Sequence, residues 1–272
     1  MQRAEQDFQQ LVWRYYEQHG RHDLPWRVPE PDGSFDPYKI MVSELMLQQT
    51  QVSRVIPKYY EFLESFPSLE ALAKATLGSV LTAWSGLGYN RRAKFLWQAA
   101  EKVMRDFQGV FPQETAQLVS LPGVGKNTAG AIQAYAFNQP VAFIETNIRT
   151  AYIHHFFEDR VGVGDAEILE LVARTVDRKE PRLWYWALMD YGSYLKQTVG
   201  NLNKLSKTYS KQSPFQGSKR QIRGHVIRLL TEHPLSLSQL TQAISDPRLP
   251  DVLEALVAEQ LIIQDGNVYS LH

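Results

Sequence analysis

Residues 121–130 read LPGVGKNTAG. Pro122 fixes one backbone angle, while Gly123 and Gly125 admit angles and close contacts that side-chained residues resist. A phosphate loop of the strand–turn–helix kind would end in GK[ST] and follow a strand, and neither condition is met here. Two short helices meeting at a glycine turn is the remaining reading. The helix after Gly125 opens with N–H groups whose partial positive charge suits an anion, above all a phosphate. Lys126 adds charge at the entry, and Thr128 and Ala129 keep the first turn slim. The turn is thus a candidate anion clamp, with an ordinary glycine-rich helix connection as the alternative.

The surroundings are helical. Apolar residues recur at helical spacing in segments near 4–19, 38–49, 53–64, 68–75, 77–84, 90–106, 114–119, 126–137, 147–156, 165–177 and 181–195. Gly and Pro mark the turns between them, as in PEPDGSF (29–35) and SGLGYN (85–90). Residues 201–220 are polar, rich in Lys and Ser, and read as a linker. The stretch 221–272 has its own pattern: IRGHVIRLLTEHP, LSLSQLTQAI and LPDVLEALVAEQ as helices, then LIIQDGNVYSLH as two strands about Asp265–Gly266. Three helices and a hairpin resemble a winged-helix module, a class that binds DNA or docks proteins. The expected organisation is therefore a mainly α-helical domain over 1–200, a basic linker over 201–220 and a winged-helix-like domain over 221–272.

Composition narrows the chemistry. The 272 residues are 44% apolar, with zero formal net charge and no cysteine, so disulfides, thiolate nucleophiles and cysteine-held clusters are excluded from them. No run of eighteen apolar residues suggests a membrane span, and MQRAEQDFQQLVW lacks the apolar core of a signal peptide. The expected setting is the cytoplasm of a prokaryote, and the expected state a monomer. Eight basic residues and no acidic one fall within 196–228, a stretch that suits phosphates or serves as a solubilising surface. His154 and His155 are adjacent, with Glu158 and Asp159 close by, but without ligand spacing, so no metal site is expected. Trp184, Tyr185 and Trp186 read as helix packing. Arg91, Arg92 and Lys94 read either as phosphate contacts or as a solvated face.

Two carboxylates stand out. FDPYKIMVSELMLQQTQV (35–52) has Asp36 to cap a helix, Pro37 at its first position and Glu44 two turns in, among Ile40, Met41, Leu45, Met46 and Leu47. An acid so placed can be kept partly dry and carry a proton at neutral pH, or it can be a buried structural carboxylate. Gln48, Gln49 and Thr50 follow, groups able to enter a duplex and satisfy base edges. In VAFIETNIRT (141–150), Glu145 stands at the mouth of another helix, whose dipole favours an ionised carboxylate. One protonated and one charged acid suit glycosidic cleavage, whose transition state has oxocarbenium character.

LPGVG resembles a helix–hairpin–helix element. Together with LPWR (24–27), YKIMVSELMLQQTQVSRVIPKYYEFLESFP (38–67), WSGLGYNRRAKFL (84–96) and FPQETAQLVSLPGVGKNTAGAI (111–132), it makes residues 8–195 similar to the helix–hairpin–helix DNA glycosylase superfamily, nearest its adenine DNA glycosylases. That resemblance implies two helical subdomains with a cleft between them. It implies a partner, double-stranded DNA holding a damaged or mismatched base that is flipped into a pocket. Adenine opposite 8-oxoguanine or guanine is one such substrate and another damaged base the alternative; a non-catalytic DNA-binding protein is the alternative to an enzyme. By the resemblance Glu44 protonates the leaving base and helps activate water, Glu145 stabilises the sugar cation, and Asn147 orients the catalytic groups. Tyr89 lies near the flipped nucleotide, with Trp26 and Arg27 of LPWR near the pocket. Gln48, Gln49 and Thr50 probe the duplex, while Gly123, Val124, Gly125, Lys126, Asn127 and Thr128 hold a backbone phosphate. The expected ion, if one is used, is a monovalent or divalent cation bridging the hairpin to DNA phosphate.

The chain also departs from the family pattern. Glu145 stands where the family has aspartate, and Thr146 where it has glycine. Asn127 stands where the related endonuclease III group has its lysine nucleophile, so a glycosylase without lyase activity is expected. After WALMDYGSYLK (186–196) the four cysteines that commonly hold an iron–sulfur cluster are missing, so no such cluster is expected. The short, mostly helical 221–272 stretch differs from the β-rich domain that reads 8-oxoguanine in the adenine enzymes.

Overall fold

The computed structural model of the chain describes residues 2–158 and 160–272. In chain order its elements are α1 (Gln2–His19), α2 (Pro37–Leu47), α3 (Val52–Ser65), α4 (Leu69–Lys74), α5 (Leu77–Ala83), α6 (Arg91–Asp106), α7 (Thr115–Val119), α8 (Lys126–Tyr135), α9 (Thr146–Phe156), α10 (Asp165–Thr175), α11 (Pro181–Thr198), α12 (Lys219–Leu230), β1 (Leu235–Ser236), α13 (Leu237–Ala243), α14 (Leu249–Ala258), β2 (Ile262–Asp265) and β3 (Val268–Leu271). Each helix expected up to residue 195 is present, with ends shifted by at most a few residues. The local chemistry is visible at their starts. The Asp36 carboxylate accepts from the Tyr38 amide at 2.8 Å, and Ser68 and Thr76 cap α4 and α5 through their hydroxyls.

The fold is mainly helical and divides into two compact units. Residues 1–40, 113–119 and 124–211 form one compact unit; 41–112, 120–123 and 212–272 form the other.

In the first unit α9 and α11 pack backbone against backbone. A Cβ built on Gly192 would lie 2.0 Å from the Asn147 carbonyl oxygen, so only glycine fits there. Around this contact Trp184, Tyr185, Tyr152, Phe143 and Ile148 are buried, and Phe8 of α1 meets Tyr152 and Trp184 at ring separations of 5.1 and 6.1 Å. The aromatic run 184–186 is thus core, as its helical spacing suggests. The first turn of α9 is braced by a residue from the polar 201–220 stretch: buried Asn203 donates to Thr150 Oγ1 at 2.8 Å and to the Thr146 carbonyl at 3.3 Å. The amides of Gly162 and Val163 donate to the Leu205 carbonyl at 2.8 and 2.9 Å, so this part of the stretch is built into the unit.

In the second unit the apolar face of α6 (Ala93, Leu96, Ala99, Ala100, Val103) is buried, with α4 and α5 packed on it. The C-terminal module belongs to the same unit. It runs helix, strand, helix, helix, strand, strand, with an antiparallel sheet in the order β1-β3-β2, an arrangement that resembles a winged helix. β1 is too short to leave a sequence signal. The hairpin pairs Asp265 with Val268, so its loop is Gly266–Asn267, one residue beyond the expected turn, with Gly266 at φ +55° as a type II′ turn requires. Lys94 of α6 fastens the module by donating to the Glu259 carbonyl at 2.6 Å and to Gln260 Oε1 at 3.0 Å.

His155 of α9 is held between Phe8 and Tyr191, with Nε2 2.7 Å from the Tyr191 hydroxyl. Burial, and then the neighbouring His154, push its pKa down to about 4 from an ordinary 6.5. The unfolded chain therefore binds a proton that the folded chain refuses between these values, and stability falls as the pH falls through that window. Tm, followed by circular dichroism, should drop from pH 6.5 towards 5, with a shallower drop in His155→Gln; parallel profiles would refute this.

Candidate active site

Within the second unit the organising side chain is Arg92. α2 ends at Leu47, and its last carbonyls have no amide partner inside the helix. Arg92, only 7% exposed, reaches them from the start of α6. Its Nη1 donates to the carbonyls of Leu45 (2.6 Å), Met46 (2.9 Å) and Gln48 (2.5 Å). Its Nη2 donates to Thr50 Oγ1 and to the Gly88 carbonyl, both at 3.1 Å. The guanidinium also lies 5.3 Å from the ring centroids of both Trp84 and Tyr89. Burial lowers its pKa to about 10, which still leaves the charge in place at neutral pH. One planar cation thus ties the 48–50 turn to the 86–89 turn, a task suited to a fork of five donors and not to a point charge.

Both turns hold a non-glycine residue in the left-handed region: Gln49 at φ +56° and Tyr89 at φ +50°. Such residues cost about 1–3 kcal/mol each and gather at functional sites. Gln49 is exposed, Gln48 and Thr50 are half-buried, and Tyr89 is 37% exposed. Glu44 is half-buried on α2, next in sequence to the fully buried Leu45 and Met46. The hairpin residue Gly123, at φ +78°, sits against Phe95, and a Cβ there would come 2.8 Å from Phe95 Cβ.

Within the first unit α8 begins after Gly125, and no side chain caps it. Its first internal bond runs from the Ala129 amide to the Gly125 carbonyl. Lys126 and Asn127 are exposed beside this end, Thr128 is half-buried and Val124 is buried. Gly125 differs from expectation: its angles (φ −85°, ψ 177°) suit any residue, and a Cβ there would meet nothing within 4 Å. The fold therefore requires glycine at 123 and not at 125. Asn127 Oδ1 accepts weakly from the Ile144 amide at 3.4 Å, which links the hairpin helix to the strand-like 141–145 segment.

Glu145 is the N-cap residue of α9, half-buried and extended at φ −116°, ψ 172°. Asn147 follows in the first turn, half-buried, with its carbonyl against Gly192. Arg149 pairs in both N–H···O contacts with Asp165 at 3.0 Å. Trp26 and Arg27 are buried. Arg27 is spent on Asp190, with bonds of 2.8 and 2.9 Å, and Arg21 joins the same carboxylate. Burial alone would raise the Asp190 carboxyl, but Arg27 and Arg21 hold it below its ordinary value.

Arg91 is exposed, whereas Arg92 is buried and Lys94 half-buried, so these two do not form the solvated face that is one reading of the sequence. Desolvation by α2 and the C-terminal module has redirected them to carbonyl oxygens. The overlooked signal is their position: cations at the first turn of a helix oppose its dipole, which points to a use elsewhere. Asn203 left no comparable trace. Among the described residues no group of three or more metal-binding side chains comes together, and Asp159 lies outside the described residues. The 272 residues contain no cysteine, so they offer no thiolates to an iron–sulfur cluster.

Arg92→Lys keeps a charge and loses the fork. The urea midpoint should fall by an amount corresponding to about 1–3 kcal/mol, the scale of charge-assisted hydrogen bonds; an unchanged midpoint would remove Arg92 from its organising position.

The family model described as HhH-GPD superfamily base excision DNA repair protein matches residues 42–174. An adenine DNA glycosylase of Mycobacterium tuberculosis (strain ATCC 25618 / H37Rv) is 31% identical over 283 aligned residues, covering 94% of this chain and 90% of its own length. One from Buchnera aphidicola subsp. Baizongia pistaciae is 33% identical over 230 residues, 81% of this chain but only 63% of the relative. A thermostable thymine-DNA glycosylase shares the fold, with a TM-score of 0.63 at 24% identity over 71% of this chain and 87% of its own. Near-complete alignment with the mycobacterial protein, together with the family-model match over 42–174, shows that the chain belongs to the HhH-GPD superfamily of base-excision DNA repair proteins and is related to its adenine DNA glycosylases.

Proposed function

We propose that this protein is a monofunctional DNA glycosylase that flips a damaged or mismatched base out of duplex DNA and hydrolyses its N-glycosidic bond. Adenine opposite 8-oxoguanine or guanine is the favoured substrate, because the relatives reported above are adenine DNA glycosylases. The observation that carries the reading is the Arg92 network, which fixes the Gln48–Gln49–Thr50 turn and the Tyr89 turn beside the helix bearing Glu44. A site that must extract a base needs such fixed probes, since small displacements of reacting groups cost large factors in rate.

In this reading Glu44 protonates the departing base and then takes a proton from the attacking water. Glu145 supplies negative charge to the oxocarbenium-like sugar, and the start of α9 favours its ionised form. Asn147 orients the reacting groups from the adjacent turn. Tyr89 borders the extruded nucleotide, while Gln48, Gln49 and Thr50 occupy the disturbed duplex. Residues 123–128 grip a backbone phosphate through the N-terminal amides of α8, with Lys126 adding charge. Asn127 has no amine with which to form a Schiff base, so strand scission does not accompany base loss. Residues 1–200 form the catalytic part, acting as a monomer on double-stranded DNA, and the 221–272 module accompanies it.

The test is a panel of duplexes, each with one defined lesion or mismatch, assayed separately for free base and for strand scission. At least one duplex should lose a base without scission. Glu44→Gln should slow single-turnover release by about a hundred- to ten-thousandfold, the usual share of general acid–base catalysis, with binding retained. Intact bases across the whole panel with folded protein, or undiminished release by Glu44→Gln, would end this assignment.

A further inference from the structure

We infer that Gln212 is a second base-reading amide, acting beside Gln49, and that the pair recognises a keto edge, a carbonyl oxygen beside a ring N–H as in guanine, on the base left opposite the extruded nucleotide. This rests on the reading proposed above.

The observations all lie within the second unit. Gln212 is exposed and belongs to none of the helix–hairpin–helix motifs; it stands in the segment that leads into α12. Its Nε2 donates to Gln49 Oε1 at 2.7 Å and also to the Tyr89 hydroxyl. Gln49 and Tyr89 are the two left-handed residues that the Arg92 network holds in place. Arg220, in the first turn of α12, fixes the segment from the other side. Its Nη1 donates to the Tyr89 hydroxyl at 2.7 Å, and its Nη2 to the carbonyls of Ser213 (2.5 Å) and Pro214 (3.5 Å). α12 is itself tied down by Arg223, whose Nη2 lies 2.6 Å from Glu259 Oε2, next to the carbonyl that Lys94 holds. A continuous chain of contacts therefore runs from α6 through the module to Gln212.

The pairing orders the two amides. Because Gln49 Oε1 accepts from Gln212, the Gln49 NH₂ must face another way. Because Gln212 Nε2 serves Gln49 and Tyr89, the Gln212 oxygen is likewise turned outward. The outward row is a donor beside an acceptor. Guanine and thymine present the complement, a carbonyl oxygen beside a ring N–H, whereas the edges of cytosine and adenine reverse that order. Arg220 is a positioning residue in this scheme: it acts through the 213–214 backbone and Tyr89.

The test uses the full chain and duplexes that share one excised base but differ in the base opposite it. Single-turnover release is measured for wild type, Gln212→Ala, Arg220→Ala and Arg220→Lys, with folding followed by thermal denaturation. Gln212→Ala should lower the ratio of rates, guanine or thymine over cytosine or adenine opposite, about tenfold, the scale of one lost bidentate contact. Arg220→Ala should reproduce that loss, and Arg220→Lys should recover part of it, since the ammonium can still meet the Tyr89 hydroxyl. A purely structural role would change Tm and leave the ratio unmoved. An unchanged ratio in Gln212→Ala overturns the inference, as does faster release with every opposite base, which would mean that the segment only covers the site. If wild type releases no base from any duplex, the glycosylase reading fails separately. Equilibrium binding to duplexes with one unpaired guanine or one unpaired cytosine then decides the inference alone: loss of a guanine preference in Gln212→Ala supports it, and identical preferences in the two proteins refute it.

Discussion

A buried cation without a carboxylate partner is the constraint on which the second unit rests. The Arg92 guanidinium leaves water and is compensated by neutral oxygens, most of them main-chain carbonyls at the end of α2. Those oxygens form the negative end of a helix dipole, so helix and cation solve each other's problem. Two aromatic faces complete the enclosure. Neutral acceptors compensate a charge only when several surround it in good geometry. The turns that supply them are therefore not free to drift apart, and the left-handed angles at Gln49 and Tyr89 are tolerated as part of the same arrangement.

The two carboxylates illustrate different ways of placing an acid. Glu44 sits within a helix whose neighbouring residues are core, so its surroundings are set by packing. Glu145 sits at a helix start, and its position depends on what keeps the first turn of α9 from shifting. Asn203 bonds that turn from a segment more than fifty residues away, and α11 presses against it at Gly192. Placement on helices, supported by such secondary contacts, is more exact than placement on loops.

Much of this was legible in the sequence. Helices such as α3 and α6 declared themselves because each buries one face, and an amphipathic period of 3.6 survives in the residues themselves. Asp36–Pro37 and the FIETN start of α9 were legible because capping is a local event. The hairpin was legible at Gly123, where φ +78° and Phe95 leave room for no side chain. Arg92, Asn203 and the pairing of Gln212 with Gln49 were not, because each depends on groups far away in the chain that no spacing rule connects. The pairing of Arg27 with Asp190 was hidden for the same reason: the two lie 163 positions apart. β1, two residues long, gains its identity only from pairing with β3.

The contact between Gly192 and the Asn147 carbonyl has an evolutionary corollary. Every replacement that a single base change in a glycine codon can bring adds at least a Cβ, and none fits in 2.0 Å. Lineages diverging from this protein can vary the exposed 209–217 segment with little steric penalty, but codon 192 is closed to them unless α9 and α11 separate first. Retention of glycine at that codon would thus record the geometry of the first turn of α9 even in descendants whose function has changed.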